Sequence, residues 1–269
     1  MKRTERVGAM VKILCDNPNK IFTLQYFCDM FGAAKSSISE DIKTASESIA
    51  FTGGGYLETV AGAKGGVRFV PDITDEAVRE LQKEFCERLS DTSRILGGNF
   101  LYTSDIFYDS ALIRKIALVF ARKFKDCGAE YVATVETKGI PLASRVAEVM
   151  NIPLVVVRRE AKISEGSTVS INYFSGSYDR IQRMSMSKRA IAEGSKVLII
   201  DDFMRGGGSV VGIAEMVGEF KASVVGVGVA IAATEPVQKK VSDYTCLVYM
   251  DDIPAGGNSI PLTPNANIF

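Results

Sequence analysis

Residues 197–210 read VLIIDDFMRGGGSV: an apolar run, two adjacent carboxylates, then three consecutive glycines. Val197, Leu198, Ile199 and Ile200 have the character of a strand buried on both faces of a parallel sheet. Asp201 and Asp202 then fall at its carboxyl end, where open α/β sheets bind ligands. Gly206, Gly207 and Gly208 carry no Cβ that would block an anion. Ser209, Val210 and Val211 can open a helix whose first N–H groups and dipole favour negative charge. The spacing predicts a sugar-phosphate site in which the backbone grips the phosphate. Carboxylates cannot bind phosphate themselves, so the two aspartates suit ribose hydroxyls or a Mg²⁺ bridging sugar and pyrophosphate. An ordinary strand and turn accounts for the glycines but not for paired acids at a strand end.

With 269 residues the chain exceeds the usual size of one domain, and its grammar changes near residue 73, so two domains are expected, 1–73 and 74–269. A hydrophobic content of 46% supports a sizeable core. The net charge is zero, so no global basic field announces nucleic acid and any such site must be local. Five cysteines, Cys15, Cys28, Cys86, Cys127 and Cys246, are odd in number and form no CxxC pair. They read as reduced, mostly buried thiols in a cytosolic protein. The absence of histidine removes His-based acid–base chemistry and the commonest transition-metal ligand, and no protein metal site is expected. No stretch approaches a membrane span and no apolar leader follows Lys2 and Arg3, so a soluble cytoplasmic protein without a membrane partner is expected.

Within residues 1–73, Val7, Met10, Val11 and Leu14 mark one face of a first helix ending near Asn17-Pro18. Thr23 caps a second through Leu24, Phe27 and Met30 to Gly32. Ser36 or Ser37 opens a third, with Ile38, Ile42, Ala45 and Ile49 inward. Tyr56–Val60 and Val67–Val70 read as strands of a glycine-rich hairpin. Three helices and a hairpin are the grammar of a winged helix-turn-helix. Its third helix would enter the major groove by its N-terminal end, where Lys35, Ser36, Ser37 and Ser39 gather, while the wing would touch backbone or minor groove. Arg3 and Arg6 on the first helix, with Lys64, Gly65, Gly66 and Arg68 on the wing, complete the expected DNA surface. Glu40 and Asp41 oppose it but favour the helix N-terminus. Nine basic residues face eight acidic ones through Asp72, so binding must depend on placement. A small packing or dimerisation domain is the competing reading.

The second stretch alternates. A bridging helix over 72–90 is followed by a helix over 112–124, a strand over 131–135, a helix over 141–150 and a strand over 153–157. After a polar loop over 158–182 come a short helix, the strand 197–200, the helix 209–220, and strands 223–231 and 245–249. This pattern predicts an α/β fold, a mostly parallel sheet with helices on both faces. Thr137, Lys138 and Gly139 follow their strand directly and also fall at a carboxyl end. Arg158 or Arg159 could reach a pyrophosphate, and the long loop reads as a lid. Tyr102 and Phe100 offer aromatic faces to the pocket or to the core.

The run from Val197 to Ser209 resembles the type I phosphoribosyltransferases, whose fingerprint is an apolar strand, two acids, two further residues (here Phe203 and Met204) and a Gly-Gly-Thr/Ser loop. It departs at Gly206, where the enzymes carry Thr, and at Arg205, where they carry a small residue. The resemblance implies a site for 5-phosphoribosyl 1-pyrophosphate (PRPP), with Thr137, Lys138 and Gly139 on the pyrophosphate. Over nearly the whole chain, AAKSSISED, GAKGGVRF, ATVETKGIP, EGSTVSINYFSGS and IIDDFMRGGGS resemble the purine operon repressors of Gram-positive bacteria. That resemblance implies a homodimeric repressor of purine synthesis and transport genes with no catalytic residues. It would be released from inverted-repeat operator DNA when PRPP is bound. An active purine phosphoribosyltransferase with an accessory domain is the alternative, and a guanine nucleotide with two pyrophosphates is a candidate competitor for the pocket.

Overall fold

The computed structural model describes residues 1–62, 65–97, 100–160, 166–175 and 180–269. The chain divides into two compact units, Met1–Thr74 with Glu148–Asn151, and Asp75–Ala147 with Ile152–Phe269.

In the first unit, α1 (Arg3–Asp16), α2 (Leu24–Phe31) and α3 (Lys35–Thr52) precede a hairpin of β1 (Gly55–Val60) and β2 (Gly66–Pro71). Thr23 caps α2 by accepting the Tyr26 N–H at 3.1 Å, and Gly32 ends it at φ +62. This is the conformation a helix C-terminus reserves for glycine. Met10, Leu14, Phe22, Phe27, Ile38, Ala45 and Val67 form the core. Phe22 exchanges two backbone hydrogen bonds of 2.9 Å with Val67, lending the hairpin a third short edge. The result is a winged helix. Two expectations change. Met30 is exposed rather than inward, because Phe27 and Phe31, stacked at 5.9 Å, take the buried side of this short helix. Helix α3 begins at Lys35 after an extended Ala34, so neither Ser36 nor Ser37 caps it.

The second unit opens with α4 (Asp75–Leu89), a small hairpin of β3 (Ile95–Gly97) and β4 (Phe100–Leu101), α5 (Ser104–Phe107) and α6 (Ser110–Lys123). Asp109 caps α6 by accepting from the Ala111 and Leu112 N–H groups. Then come β5 (Tyr131–Val135), α7 (Gly139–Met150), β6 (Leu154–Val157), β7 (Thr168–Ser175), β8 (Arg180–Ser187), β9 (Lys196–Met204), α8 (Gly208–Gly218), β10 (Ser223–Ala233), β11 (Thr245–Met250) and β12 (Leu262–Pro264). The main sheet has the order β12-β11-β10-β9-β5-β6, parallel except for β12. The chain lays β6 on one side of β5 and β9 to β11 on the other. The crevice between the carboxyl ends of β5 and β9 is therefore the topological switch point. One face of the sheet is covered by α8 and the β7–β8 hairpin through Tyr173, Met184, Met186, Val210, Ile213 and Met216. On β10, Gly226 and Gly228 face the rings of Phe124 and Phe120, which α6 and its C-cap supply. Gln82 of α4 donates at 2.9 Å to the carbonyls of Leu247 and Asn265, and Asn265 donates to Cys246, fixing β12 to the edge.

The polar stretch expected as a loop is largely an eight-residue-a-side antiparallel hairpin, β7 with β8, and no short helix follows it. Val169, Ile171 and Tyr173 alternate with Ser170 and Asn172, and only the apolar set packs on the core. The bridging helix starts at Asp75, not Asp72. All five cysteines are free as expected, but only Cys246 is buried and Cys15 is exposed.

Candidate functional site

At the switch point lies a cavity of about 410 Å³ lined by Glu136, Thr137 and Lys138 after β5, by Asp201, Asp202, Phe203, Arg205 and Ser209 around the end of β9, and by Phe100, Leu101, Thr103 and Arg159. This volume suits a sugar phosphate or nucleotide. Both aspartates line it, yet Asp201 is almost wholly buried. Burial, the neighbouring Asp202 charge and the hydrogen bond with Asp202 push the Asp201 carboxyl well above the usual carboxylate range. Burial raises Asp202 as well, while its bond to Asp201 and the Lys138 ammonium work against that rise. Two carboxylates this close cannot both ionise cheaply. A ligand offering hydroxyl donors, or a cation, relieves the repulsion.

Lys138 Nζ is steadied by Thr103 Oγ1 at 3.3 Å. Glu136 accepts the Arg159 N–H at 2.7 Å and pairs with Arg158 Nη1 at 3.4 Å. Glycine is required at Gly139 by packing: a Cβ there would lie 2.4 Å from Asp201 Oδ1 and 2.5 Å from Thr134 Oγ1. The Thr134 hydroxyl is itself buried without a partner. Gly207 holds φ +80 as the N-cap of α8, with Gly206 before it and Gly208 in the first turn.

Three expected ligand residues fall elsewhere. Met204 follows Phe203 on a strand, where successive side chains alternate, and is buried in the core while Phe203 lines the cavity. Arg159, not Arg158, lines the cavity, and the Arg158 backbone instead bridges to Ser185. Phe100 lines it, whereas Tyr102 does not and is 47% exposed. Reasoning from sequence missed Thr103, Leu101, Val135 and Ile231 as wall residues, since nothing in their spacing separates wall from core.

In the winged helix, Lys35, Ser36 and Ser39 are exposed and Ser37 half-buried at the start of α3. Arg3 and Arg6 converge on Asp41, whose carboxylate is fully buried, at 3.2 and 2.8 Å. Asp41 is thus a tie between α1 and α3 rather than a surface charge near a helix start. Arg6 is only 15% exposed while Arg3 is 57% exposed, so Arg3 alone of the two presents its guanidinium to solvent. Arg68 Nε pairs across the hairpin with Glu58 at 2.5 Å. Gly65 and Gly66 are required internally: a Cβ would lie 2.3 Å from the Val60 carbonyl oxygen or 2.1 Å from that of Phe22. Lys64 lies outside the described residues.

The family model for the bacterial purine repressor N-terminal domain matches residues 2–71, and that for the phosphoribosyl transferase domain matches residues 104–262. The probable purine biosynthesis transcriptional regulator PurR of Streptococcus pneumoniae is 41% identical, with 100% of this chain and 98% of that one covered. The chain belongs to the PurR family of purine-biosynthesis regulators. Other PurR proteins that match from end to end carry opposite descriptions. The Lactococcus lactis transcriptional activator is 39% identical over 100% of this chain and 99% of its own. The Bacillus subtilis transcriptional repressor is 39% identical over 97% and 92%. These are regulators of transcription, not enzymes. Adenine phosphoribosyltransferase from Thermoanaerobacter pseudethanolicus aligns at 20% identity with a TM-score of 0.54 over 62% of this chain and 98% of that structure. At that identity the alignment speaks for the fold of the second PurR unit alone. Among the described residues no helix is long and apolar enough to cross a membrane, and no group of three His, Cys, Asp or Glu could hold a metal.

Proposed function

We propose that the chain is a DNA-binding repressor of purine synthesis and transport genes whose second unit senses PRPP. The observation that carries this reading is the pairing, in one chain, of a purine-repressor winged helix over 2–71 with a cavity lined by the Asp201–Asp202 pair, Lys138, and Arg205 and Ser209, which flank the glycine loop. The acidic pair accepts ribose hydroxyls, the loop N–H groups and the α8 dipole take the sugar's phosphate, and Lys138 takes the pyrophosphate. Any Mg²⁺ would enter with the ligand, whose oxygens and water would fill its shell beyond the two aspartates. The DNA face is the N-terminal end of α3 with Lys35, Ser36, Ser37 and Ser39, flanked by Arg3 and the wing. The protein acts in the cytoplasm as a homodimer on an inverted repeat.

PRPP alters DNA affinity only as far as it binds free and DNA-bound protein differently, a coupling of about 1–3 kcal/mol in typical cases. A gel-shift on a purine-gene promoter with and without PRPP, beside a phosphoribosyl-transfer assay with adenine, guanine and xanthine, tests the reading. The expected result is retarded DNA that PRPP releases, and no transfer. Turnover without DNA binding would make the chain an enzyme.

A further inference from the structure

The segment that follows β10 packs on the back of the glycine loop. Lys239 reaches it with its ammonium, which donates to the Arg205 carbonyl at 2.9 Å, to the Pro236 carbonyl at 3.1 Å and to the Thr234 carbonyl at 3.5 Å. An ammonium has three N–H donors and no acceptor, so the three carbonyls saturate it. One residue on, the backbone N–H of Lys240 donates to the Gly206 carbonyl at 3.0 Å. A Cβ on Gly207 would lie 3.2 Å from Val241 Cγ2, and one on Gly206 would lie 3.8 Å from Pro236 Cγ. Neither Lys239 nor its neighbours line the cavity.

These contacts set the direction of two peptide planes. The bonds from Arg205 to Gly206 and from Gly206 to Gly207 are trans, since among the described residues only the Glu136–Thr137 and Glu235–Pro236 bonds are cis. In a trans peptide, the N–H points opposite to the C=O. With the Arg205 and Gly206 carbonyls turned toward the 234–241 segment, the N–H groups of Gly206 and Gly207 turn away from it. Glycine would otherwise sample many orientations. The positive charge on Lys239 adds to the polarisation of those peptides.

We propose that Lys239 is a positioning residue for the phosphate of the bound sugar: by anchoring the Arg205 carbonyl from behind, it holds the Gly206 and Gly207 amides in the anion-receiving orientation before the ligand arrives. The proposal rests on the reading that this loop takes the sugar's own phosphate while Lys138 and Thr137 take the pyrophosphate. Pre-orienting donors cuts the ordering cost of binding.

The test is isothermal titration calorimetry on the full chain with PRPP, ribose 5-phosphate and pyrophosphate, for wild type, Lys239→Met, Lys239→Gln and Lys239→Arg. Lys239→Met should weaken PRPP and ribose 5-phosphate about tenfold, the scale of one hydrogen bond to a charged group, and leave pyrophosphate within about twofold. Lys239→Gln, which keeps two N–H donors and fits the same space, should fall between and covers the case in which the methionine variant does not fold. Lys239→Arg should restore most of the loss. Hydrogen exchange at Gly206–Gly208 in the ligand-free protein should speed up in the methionine or glutamine variant. Unchanged PRPP affinity in folded Lys239→Met or Lys239→Gln overturns the proposal, as does an equal loss for pyrophosphate. Wild type that binds neither PRPP nor ribose 5-phosphate overturns the functional reading itself, and the proposal with it.

Discussion

Asp201, proposed above to meet the ribose, stands against the stability of its own fold. Its carboxyl is buried beside a second carboxylate and against Gly139, and in the folded chain burial holds its pKa well above the ordinary aspartate value of 3.8. A raised folded pKa gives stability that is full below pH 3.8, the unfolded value, and is lost as pH rises through the folded value. Asp201→Asn removes the titration, so the ligand-free variant should melt a few degrees above wild type at pH 7 and equal it near pH 4 by calorimetry. It should no longer answer to PRPP in a DNA-release assay. Equal melting temperatures at pH 7 would mean that the pair carries no strain. The acidic pair and the glycine loop were legible in the sequence because chemistry alone requires their order. The choice between Arg158 and Arg159, or Phe203 and Met204, was not. Phe203 and Met204 alternate along β9 while Arg158 and Arg159 follow the end of β6, and nothing in the sequence fixes which of each pair faces the cavity.

Among the elements, α1 and α3 are joined by a buried carboxylate between two arginines. Breaking a buried pair from one side leaves an uncompensated charge and costs about 3–5 kcal/mol. Arg6→Ala should therefore lower stability toward urea by roughly 3 kcal/mol and leave the salt dependence of DNA affinity as it was. Arg3→Ala, at the exposed side, should reduce the magnitude of the salt slope by about one per lost phosphate contact. A salt slope altered by Arg6→Ala alone would reverse the two roles. The winged helix could be read from sequence because its caps and periods are strong: Thr23 before α2, Gly32 after it, and the switch from period 3.6 to period 2 at Gly55. Hairpin β7–β8 was concealed by its outward residues, Ser170, Asn172 and Arg183, which lend a half-buried ribbon the composition of a loop. Strands β3, β4 and β12 have two or three residues each, too few to show any period.

For the whole molecule, a ligand that binds one unit should stabilise that unit by mass action, about 2.7 kcal/mol at a hundredfold excess over Kd. Differential scanning calorimetry of the full chain should show PRPP raising the transition of the unit made chiefly from residues 75–269. An upward shift confined to the winged helix would place the ligand elsewhere. The edge of the main sheet adds a consequence in time. Gln82 of α4 meets the Asn265 carbonyl across 183 residues of chain, so the edge of the second unit cannot close until residue 265 has been made. At ribosomal rates of about 5–20 residues per second, that wait lasts roughly 10–40 s. Domains fold as units from the N-terminus during synthesis. Each nascent chain therefore passes through an interval in which the winged-helix sequence is complete and the second unit is not. On the proposed function, the unit that meets DNA is thus made before the unit proposed to answer PRPP can be completed.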